Sequence, residues 1–360
     1  MVMLRINFWL ERPPFAIVGF LKPLKEILGD SLQIFVRDDS ISNRKGFDEK
    51  ASSELGCIFV HKDLSDLEDK NGFSNSINII NGFNSFVYSF LTHKRKEDKT
   101  VKIGCYTEMP AAMGKFKALK SILLKIKYRR LIRAVADNID FLLPIGEMAQ
   151  HYYKKIGWNK LSYPFVYIPD LLVPLQQKDP FKLENGSYCY VGRNDYSNKG
   201  LNKAIKFFGK NRHLKLTIIG NYGNNSNDVL LATKKYSNIV QLPSKQPTEV
   251  LDYLNREHIK CVLVPSNTDG WNPNVYMALL AGVPCIATVN SGSSDLISKF
   301  KFGLVCDSTY HSFKKAIEQF ENMDSTKRNE FFDNAFIGSK TYLPDQIAKD
   351  LLNFLKEHFE

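Results

Sequence analysis

The sequence predicts an α/β protein of two Rossmann-like, doubly wound domains. Three observations predict it. Short β-rich runs alternate with longer helical patterns, the mark of βαβ units. The alternation runs through two series. Between them, residues 169–185 form a polar, aperiodic stretch punctuated by Pro169, Pro174 and Pro180 and followed by Gly186, which reads as a boundary. The length of 360 residues agrees with two domains at a soft prior of about 150 residues each.

In the first series the strand-like runs are residues 4–9, 33–36, 57–60, 77–80, 101–106 and 139–143, with 165–168 as a seventh. In the second they are 187–191, 214–219, 238–241, 260–264, 284–288 and 304–306. Helical patterns lie between them, for example 201–210 and 248–256. A last helix, 345–358, follows Pro344 after the second series is complete. The expected domains are 1–170 and 171–344, with the terminal helix within 345–360.

Composition narrows the class. Hydrophobic residues make up 44% and charged residues 24%, and 25 Phe with 16 Tyr can bury a large core, which argues against extensive disorder. No apolar run approaches the roughly 20 residues of a membrane span. At the N-terminus Arg5 and Asn7 interrupt what would be the apolar region of a signal peptide. The six cysteines are scattered with no CxxC pair, against a zinc ribbon, a redox motif or a disulfide scaffold. Buried free thiols in a reducing cytosol are expected. The net charge of +11 is concentrated: residues 91–133 hold thirteen Lys/Arg against three acids. Charge gathered in one stretch marks a surface with a partner.

Three segments of the second series carry candidate chemistry. Residues 191–200, VGRNDYSNKG, follow a strand and precede a helix. Arg193 and Lys199, placed after Gly192, can clamp a diphosphate, one as a planar fork and one as a point charge; a solvated turn would carry the same residues. Residues 264–274, VPSNTDGWNPN, again run from a strand into a helix. Asn272 suits the N-cap and Pro273 the first helical position, and such a helix end offers N–H groups and positive dipole to an anion. Asp269, just before it, is placed to accept hydrogen bonds from sugar hydroxyls. Residues 281–295 read as helix end, buried strand, then a Gly/Ser loop opening another helix.

In order and spacing, these segments resemble the donor-binding domain of retaining GT-B glycosyltransferases, the group-1 family that includes phosphatidylinositol mannosyltransferases and glycogen synthases. Gly192-Arg193 with Lys199-Gly200 six residues on matches the diphosphate-binding loop. Asp269-Gly270-Trp271-Asn272 stands where Glu-Gly-Phe-Gly is usual, and Ala278, Gly282, Pro284, Ile286 and Ala287 match the following block. Met277 departs from the pattern, because the family usually has a ribose-binding acid there. The resemblance implies two domains facing a cleft, with the C-terminal helix packing back on the first. Residues 171–344 would bind the donor through Gly192, Arg193, Lys199, Gly270, Trp271, Asn272 and Asn274. Residues 1–170 would bind the acceptor. It implies transfer from a nucleotide-diphosphate sugar, without cofactor or metal, to a saccharide or a lipid-linked acceptor. Arg193 and Lys199 would neutralise the leaving group and Asp269 would orient the sugar.

The first domain resembles the family less. Of its first loop only Gly19 could allow close backbone approach to a ligand, and Glu108, at the end of a strand, is a candidate acceptor-site group. Residues 115–133, KFKALKSILLKIKYRRLIR, open on Lys115, close on Arg133 and hold eight basic residues and no acid. Phe116, Leu119, Ile122, Leu123 and Ile126 recur at helical spacing, so the segment reads as an amphipathic helix for an anionic membrane surface. With no nucleic-acid module in the sequence, a peripheral protein on the cytoplasmic face of a membrane is expected. The same fold also serves nucleotide-sugar 2-epimerases, and a non-catalytic nucleotide-sugar-binding protein is the remaining alternative.

Overall fold

The computed structural model describes residues 4–12, 17–38, 47–61, 64, 67, 73–110, 117–169, 186–192, 198–220 and 226–360. The chain divides into two compact units. The first contains Met1–Pro110, Leu119–Asp170 and Pro344–Glu360, and the second contains Ala111–Ala118 and Leu171–Leu343, so that all of the helix Lys117–Val135 but its first two residues falls in the first.

Unit 1 is built on a parallel sheet of β1 (Arg5–Leu10), β2 (Leu32–Arg37), β3 (Ile58–Val60), β4 (Ser76–Asn81), β5 (Lys102–Thr107), β6 (Phe141–Pro144) and β7 (Leu161–Ser162), in the order β3-β2-β1-β4-β5-β6-β7. Its helices are α1 (Val18–Leu28), α2 (Phe47–Glu54), α3 (Tyr88–Glu97), α4 (Lys117–Val135) and α5 (Glu147–Lys155). The strands at the centre are apolar on both faces, as sheets covered by helices on both sides must be. The buried exception fixes register. Asn7 on β1 stands opposite Asn78 on β4, and the Asn78 carbonyl accepts from both the Asn7 amide and the Trp9 indole, each at 3.0 Å.

The expected strand at 165–168 is absent. The seventh strand is instead Leu161–Ser162, and Phe165 makes only an isolated bridge with Ile145. Tyr163 N–H and Phe165 N–H still donate to Leu142 O and Pro144 O, and Phe165 O accepts from Gly146 N–H, so the pairing passes Pro164 on the open edge and stops at Phe165.

Unit 2 repeats the architecture with β8 (Ser187–Val191), β9 (Leu216–Ile219), β10 (Ile239–Leu242), β11 (Ile259–Val264), β12 (Cys285–Thr288) and β13 (Gly303–Cys306), ordered β10-β9-β8-β11-β12-β13 and all parallel. The helices are α6 (Leu201–Phe208), α7 (Ser226–Lys235), α8 (Pro247–Arg256), α9 (Pro273–Leu280), α10 (Ser294–Phe300), α11 (Tyr310–Glu321) and α12 (Ser325–Thr341). β11 is buried along its whole length. Cys105, Cys189, Cys261 and Cys285 are buried free thiols, and Cys57 and Cys306 are partly buried.

The last helix, α13 (Pro344–Phe359), belongs to unit 1 and packs against α1. Ile347, Ala348, Leu351, Leu352 and Leu355 form its buried face at the i, i+4, i+8 spacing of an amphipathic helix. Leu351→Ala is expected to lower the unfolding free energy by about 2–5 kcal/mol through the cavity it leaves. Urea denaturation measures this, and an unchanged midpoint would show that α13 is not part of the unit 1 core.

Candidate functional site

Strand order in unit 2 reverses between β8 and β11, and ligands of open α/β sheets bind beyond the C-terminal ends of the strands at such a switch point. The loops that follow β8, β11 and β12 gather there.

The loop after β8 starts at Gly192, whose N–H donates to Ile219 O at 3.1 Å. Arg193 lies outside the described residues. The described chain resumes at Asn198 and Lys199, and Gly200 caps α6 with φ +73°. A Cβ on Gly200 would stand 1.9 Å from Pro265 O, so the two loops approach as only glycine permits. Asn267 N–H donates to Asn198 O at 2.7 Å and joins them.

The loop after β11 ends as its residue chemistry predicts. Asn272 is the N-cap of α9, its side-chain oxygen accepting from Asn274 N–H at 2.9 Å, and Pro273 follows in the first turn. Val275 N–H also donates to Asn272 O. Of the N–H groups near Asn272 to Asn274 expected to serve an anion, that of Asn274 is therefore already used within the cap, as is that of Val275 beyond it. What the helix end can offer there is its dipole.

Asp269 is buried. Its Oδ2 lies 2.7 Å from Lys199 Nζ and accepts from Asn272 Nδ2 at 2.8 Å and Ser266 Oγ at 3.3 Å. In the structure the carboxylate meant for sugar hydroxyls thus faces three protein donors. Asn274 Nδ2 in turn donates to Val191 O at 2.7 Å. A polar chain therefore runs from Lys199 through Asp269, Asn272 and Asn274 back to the end of β8. It ties together both ends of the segment that contains Arg193.

The loop after β12 closes the other side. Asp269 N–H donates to Asn290 O at 2.9 Å and Gly292 N–H to Asp269 O at 3.2 Å. Ser293 Oγ donates to Asn272 O at 2.8 Å. A Cβ at Gly292 would lie 1.6 Å from Gly270 O, so a side chain there would force the loops apart. Trp271 and Met277 are both buried. Where the family usually has a ribose-binding acid, this chain has core.

A position of the site's framework that sequence reasoning missed is Lys203. It is buried, and its Nζ donates to Pro265 O at 2.7 Å and Ser308 O at 2.6 Å. It ties α6 to the end of β11 and to the start of α11. The signal was available: position 203 lies one turn from Phe207 on the buried side of α6, where a lysine needs acceptors.

The unit 1 candidates have other surroundings. Gly19 is buried, its N–H donates to Ile168 O at 2.9 Å, and a Cβ would lie 2.3 Å from Pro169 O. The close approach that this glycine permits is to the chain's own backbone at Ile168 and Pro169. Glu108 is partly exposed just beyond β5. Tyr167 hydrogen-bonds its side chain, and burial, then the charge on Glu108, holds the Tyr167 phenol well above its ordinary pKa. The protonated phenol is therefore the donor of the pair. Tyr153 Oη donates to Glu108 O at 2.6 Å.

With this geometry in hand, the comparisons with known proteins agree on the fold. Residues 175–336 match the family model for glycosyl transferases group 1. No curated protein matches the sequence significantly. Solved structures do resemble it over almost its full length. Anabaena Alr3699/HepE in complex with UDP superposes with a TM-score of 0.75 at 10% identity, covering 98% of this chain and 100% of that one. Sucrose-phosphate synthase from Thermosynechococcus elongatus gives 0.71 at 10% identity, covering 99% of each. WaaG, a glycosyltransferase involved in lipopolysaccharide biosynthesis, gives 0.57 at 15% identity, covering 96% of this chain and 99% of that one. The chain has the GT-B fold of these glycosyltransferases. Among the described residues no group of His, Cys, Asp and Glu gathers as metal ligands would.

Lys203→Met removes the donor of two backbone carbonyls while keeping the side-chain length. It should cost about 1–3 kcal/mol of stability, the penalty of unsatisfied buried groups. Chemical denaturation checks this, and an unchanged stability would mean the ammonium is dispensable to the loop framework.

Proposed function

We propose that the protein is a glycosyltransferase. Unit 2 binds a nucleotide-diphosphate sugar, and unit 1 receives a saccharide or lipid-linked acceptor. The observation that carries the reading is Lys199, fixed beside the N-terminus of α9 at the unit 2 switch point, inside the segment that matches the group-1 family. The chemistry follows from charge. Breaking the sugar–phosphate bond adds one negative charge to the diphosphate, on the phosphate that carried the sugar. Arg193, Lys199 and the α9 dipole offset that charge as it develops, which is where electrostatic catalysis acts. This reading calls for no metal or other cofactor. Retention of configuration is supported by the family resemblance. Glu108 with the Tyr167 phenol is a polar pair suited to an acceptor hydroxyl.

Arg193→Ala and Lys199→Ala should each lower turnover about 30- to 1,000-fold, equivalent to about 2–4 kcal/mol of lost stabilisation. The assay is release of free sugar from a panel of nucleotide sugars. Full activity in either purified variant would remove that cation from the mechanism. Accumulation of an isomeric nucleotide sugar would identify an epimerase instead.

Support for a membrane-borne acceptor comes from α4. Leu119, Ile122, Leu123 and Ile126 are between 46% and 57% exposed and lie on one face at i, i+3, i+4 and i+7. Lys120, Lys125, Lys127, Arg129 and Arg130 are exposed around them. Of the described side chains of α4, those of the distal part, Ile132 and Val135, belong to the unit 1 core, with Tyr128 and Leu131 packed against it. Phe116 lies outside the described residues. Among the described residues no helix is long and apolar enough to cross a membrane. The reading is therefore peripheral binding to the anionic cytoplasmic leaflet, worth about 1 kcal/mol per engaged cation. Wild type should sediment with anionic but not neutral vesicles at low salt. Changing Lys120, Lys125 and Lys127 to Glu should keep the protein in solution. Equal partitioning of the two proteins would sink the membrane assignment.

A further inference from the structure

We infer that Asp269 is a built-in competitor of the donor's diphosphate for Lys199. It holds the cation in place and weakens the grip on the nucleotide diphosphate. The inference rests on unit 2 binding a nucleotide-diphosphate sugar, and it assigns Asp269 a role other than contact with the sugar.

Three features of the geometry carry it. First, Oδ2 of Asp269 already has Lys199, Asn272 and Ser266 within 2.7–3.3 Å, a crowded acceptor with its charge turned toward the protein. Second, the backbone of the residue is pinned, and its carboxylate is held by Asn272 and Ser266 independently of Lys199. The Asp269 N–H is bound to Asn290 O and its carbonyl to Gly292 N–H, and the neighbouring Gly270 carbonyl lies against Gly292. Third, Lys199 is more accessible than its partner, with side-chain exposures of 22% and 7%. A ligand can therefore reach the cation while the carboxylate stays fixed behind it.

The pair carries no net charge, so a diphosphate arriving at Lys199 meets a cation already neutralised and an anion that Asn272 and Ser266 also hold. Like charges sharing one cation repel each other, and the diphosphate is held less tightly than by a free lysine. What Lys199 gains is position, because a long side chain held by an ion pair need not be ordered when the ligand binds. For a transferase this compromise is useful. The leaving diphosphate carries more charge than the donor's, and a site that gripped it without opposition would release product slowly.

Asp269→Asn keeps the shape and leaves an acceptor for Asn272 and Ser266 while removing the opposing charge. Calorimetric titration of wild type and variant with ADP, CDP, GDP, TDP and UDP, and with the monophosphate of the best-bound base, tests the idea. The variant should bind that diphosphate about tenfold tighter, equivalent to about 1.4 kcal/mol, with a smaller gain for the monophosphate. Loosening of a purely structural residue would not tighten binding. Unchanged affinity would return Asp269 to the sugar, and weaker binding with an unaltered melting temperature would make it only a prop for Lys199. Either result overturns the inference while leaving the donor site standing. If wild type binds none of the five diphosphates, the donor-site reading falls and this inference with it. Should Asp269→Asn fail to fold, Asp269→Ser carries the same expectation.

Discussion

A buried carboxylate must be compensated, and at Asp269 that requirement organises the whole edge of unit 2. An uncompensated charge out of water is too costly to persist. The Asp269 oxygen therefore draws in an ammonium from the β8 loop, an amide from the cap of α9 and a hydroxyl from the end of β11. Ser266 and Asn272 flank Asp269 in its own loop and Lys199 reaches it from the loop after β8, so satisfying one atom both shapes the β11 loop and fixes it to the β8 loop. The glycines follow from the same demand. At Gly200 and Gly292 the facing backbone lies where a Cβ would be, because the loops are drawn together more closely than side chains allow.

Much of this edge was legible in the sequence, and the parts that were not share a cause. Asn272 and Pro273 announced a capped helix because capping is local: the side chain bonds to a backbone group two residues away. The unit 2 strands declared themselves as apolar runs because both faces of that sheet are covered. The partner of Asp269 was not legible, because Lys199 is seventy positions away in sequence and only the topology brings them together. The place of Lys203 on the buried side of α6 was legible, but its acceptors were not, since they are carbonyls at Pro265 and Ser308, and backbone acceptors leave no mark in a sequence. Residues 165–168 failed differently. Their composition suits a strand, but the pairing with β6 runs through Tyr163 and Phe165 and ends there, and an apolar run does not mark where its partner strand stops.

Unit 1 uses the same architecture with a different buried polar device. In unit 2 charged groups reach into loops at the sheet's C-terminal edge. In unit 1 the central strands themselves carry Asn7 and Asn78, both fully buried, with the indole of Trp9 completing the set. A one-residue slip between β1 and β4 would leave these groups unpaired in the core, so the pair penalises wrong registers more than apolar packing alone could. Trp9 is stacked on Phe35 at 4.2 Å, which extends the constraint to β2. The Asn pair is silent at the level of apolar periodicity, where two asparagines in a strand read only as weak β-formers.

The cations of the chain are used in two physically distinct ways. In unit 2 buried or partly buried lysines have fixed acceptors: Lys199 has Asp269, Lys203 has two carbonyls, and Lys260 has Glu321 at 2.5 Å. Such cations set geometry. Along α4 the basic residues are exposed around an apolar stripe that the unit 1 core leaves uncovered. Screening confines their field to roughly 8 Å at physiological ionic strength, so they act on what the helix itself touches. Arg95 shows the contrast on the neighbouring helix α3. It belongs to the same basic stretch, yet it is turned inward onto Asp140 at 2.5 and 2.8 Å and onto the backbone at Asn138. Charge count alone would place Arg95 with α4, but contact geometry assigns it to the framework. What α4 has is four exposed apolar side chains on one face among exposed cations, the two components that an amphipathic interfacial helix combines.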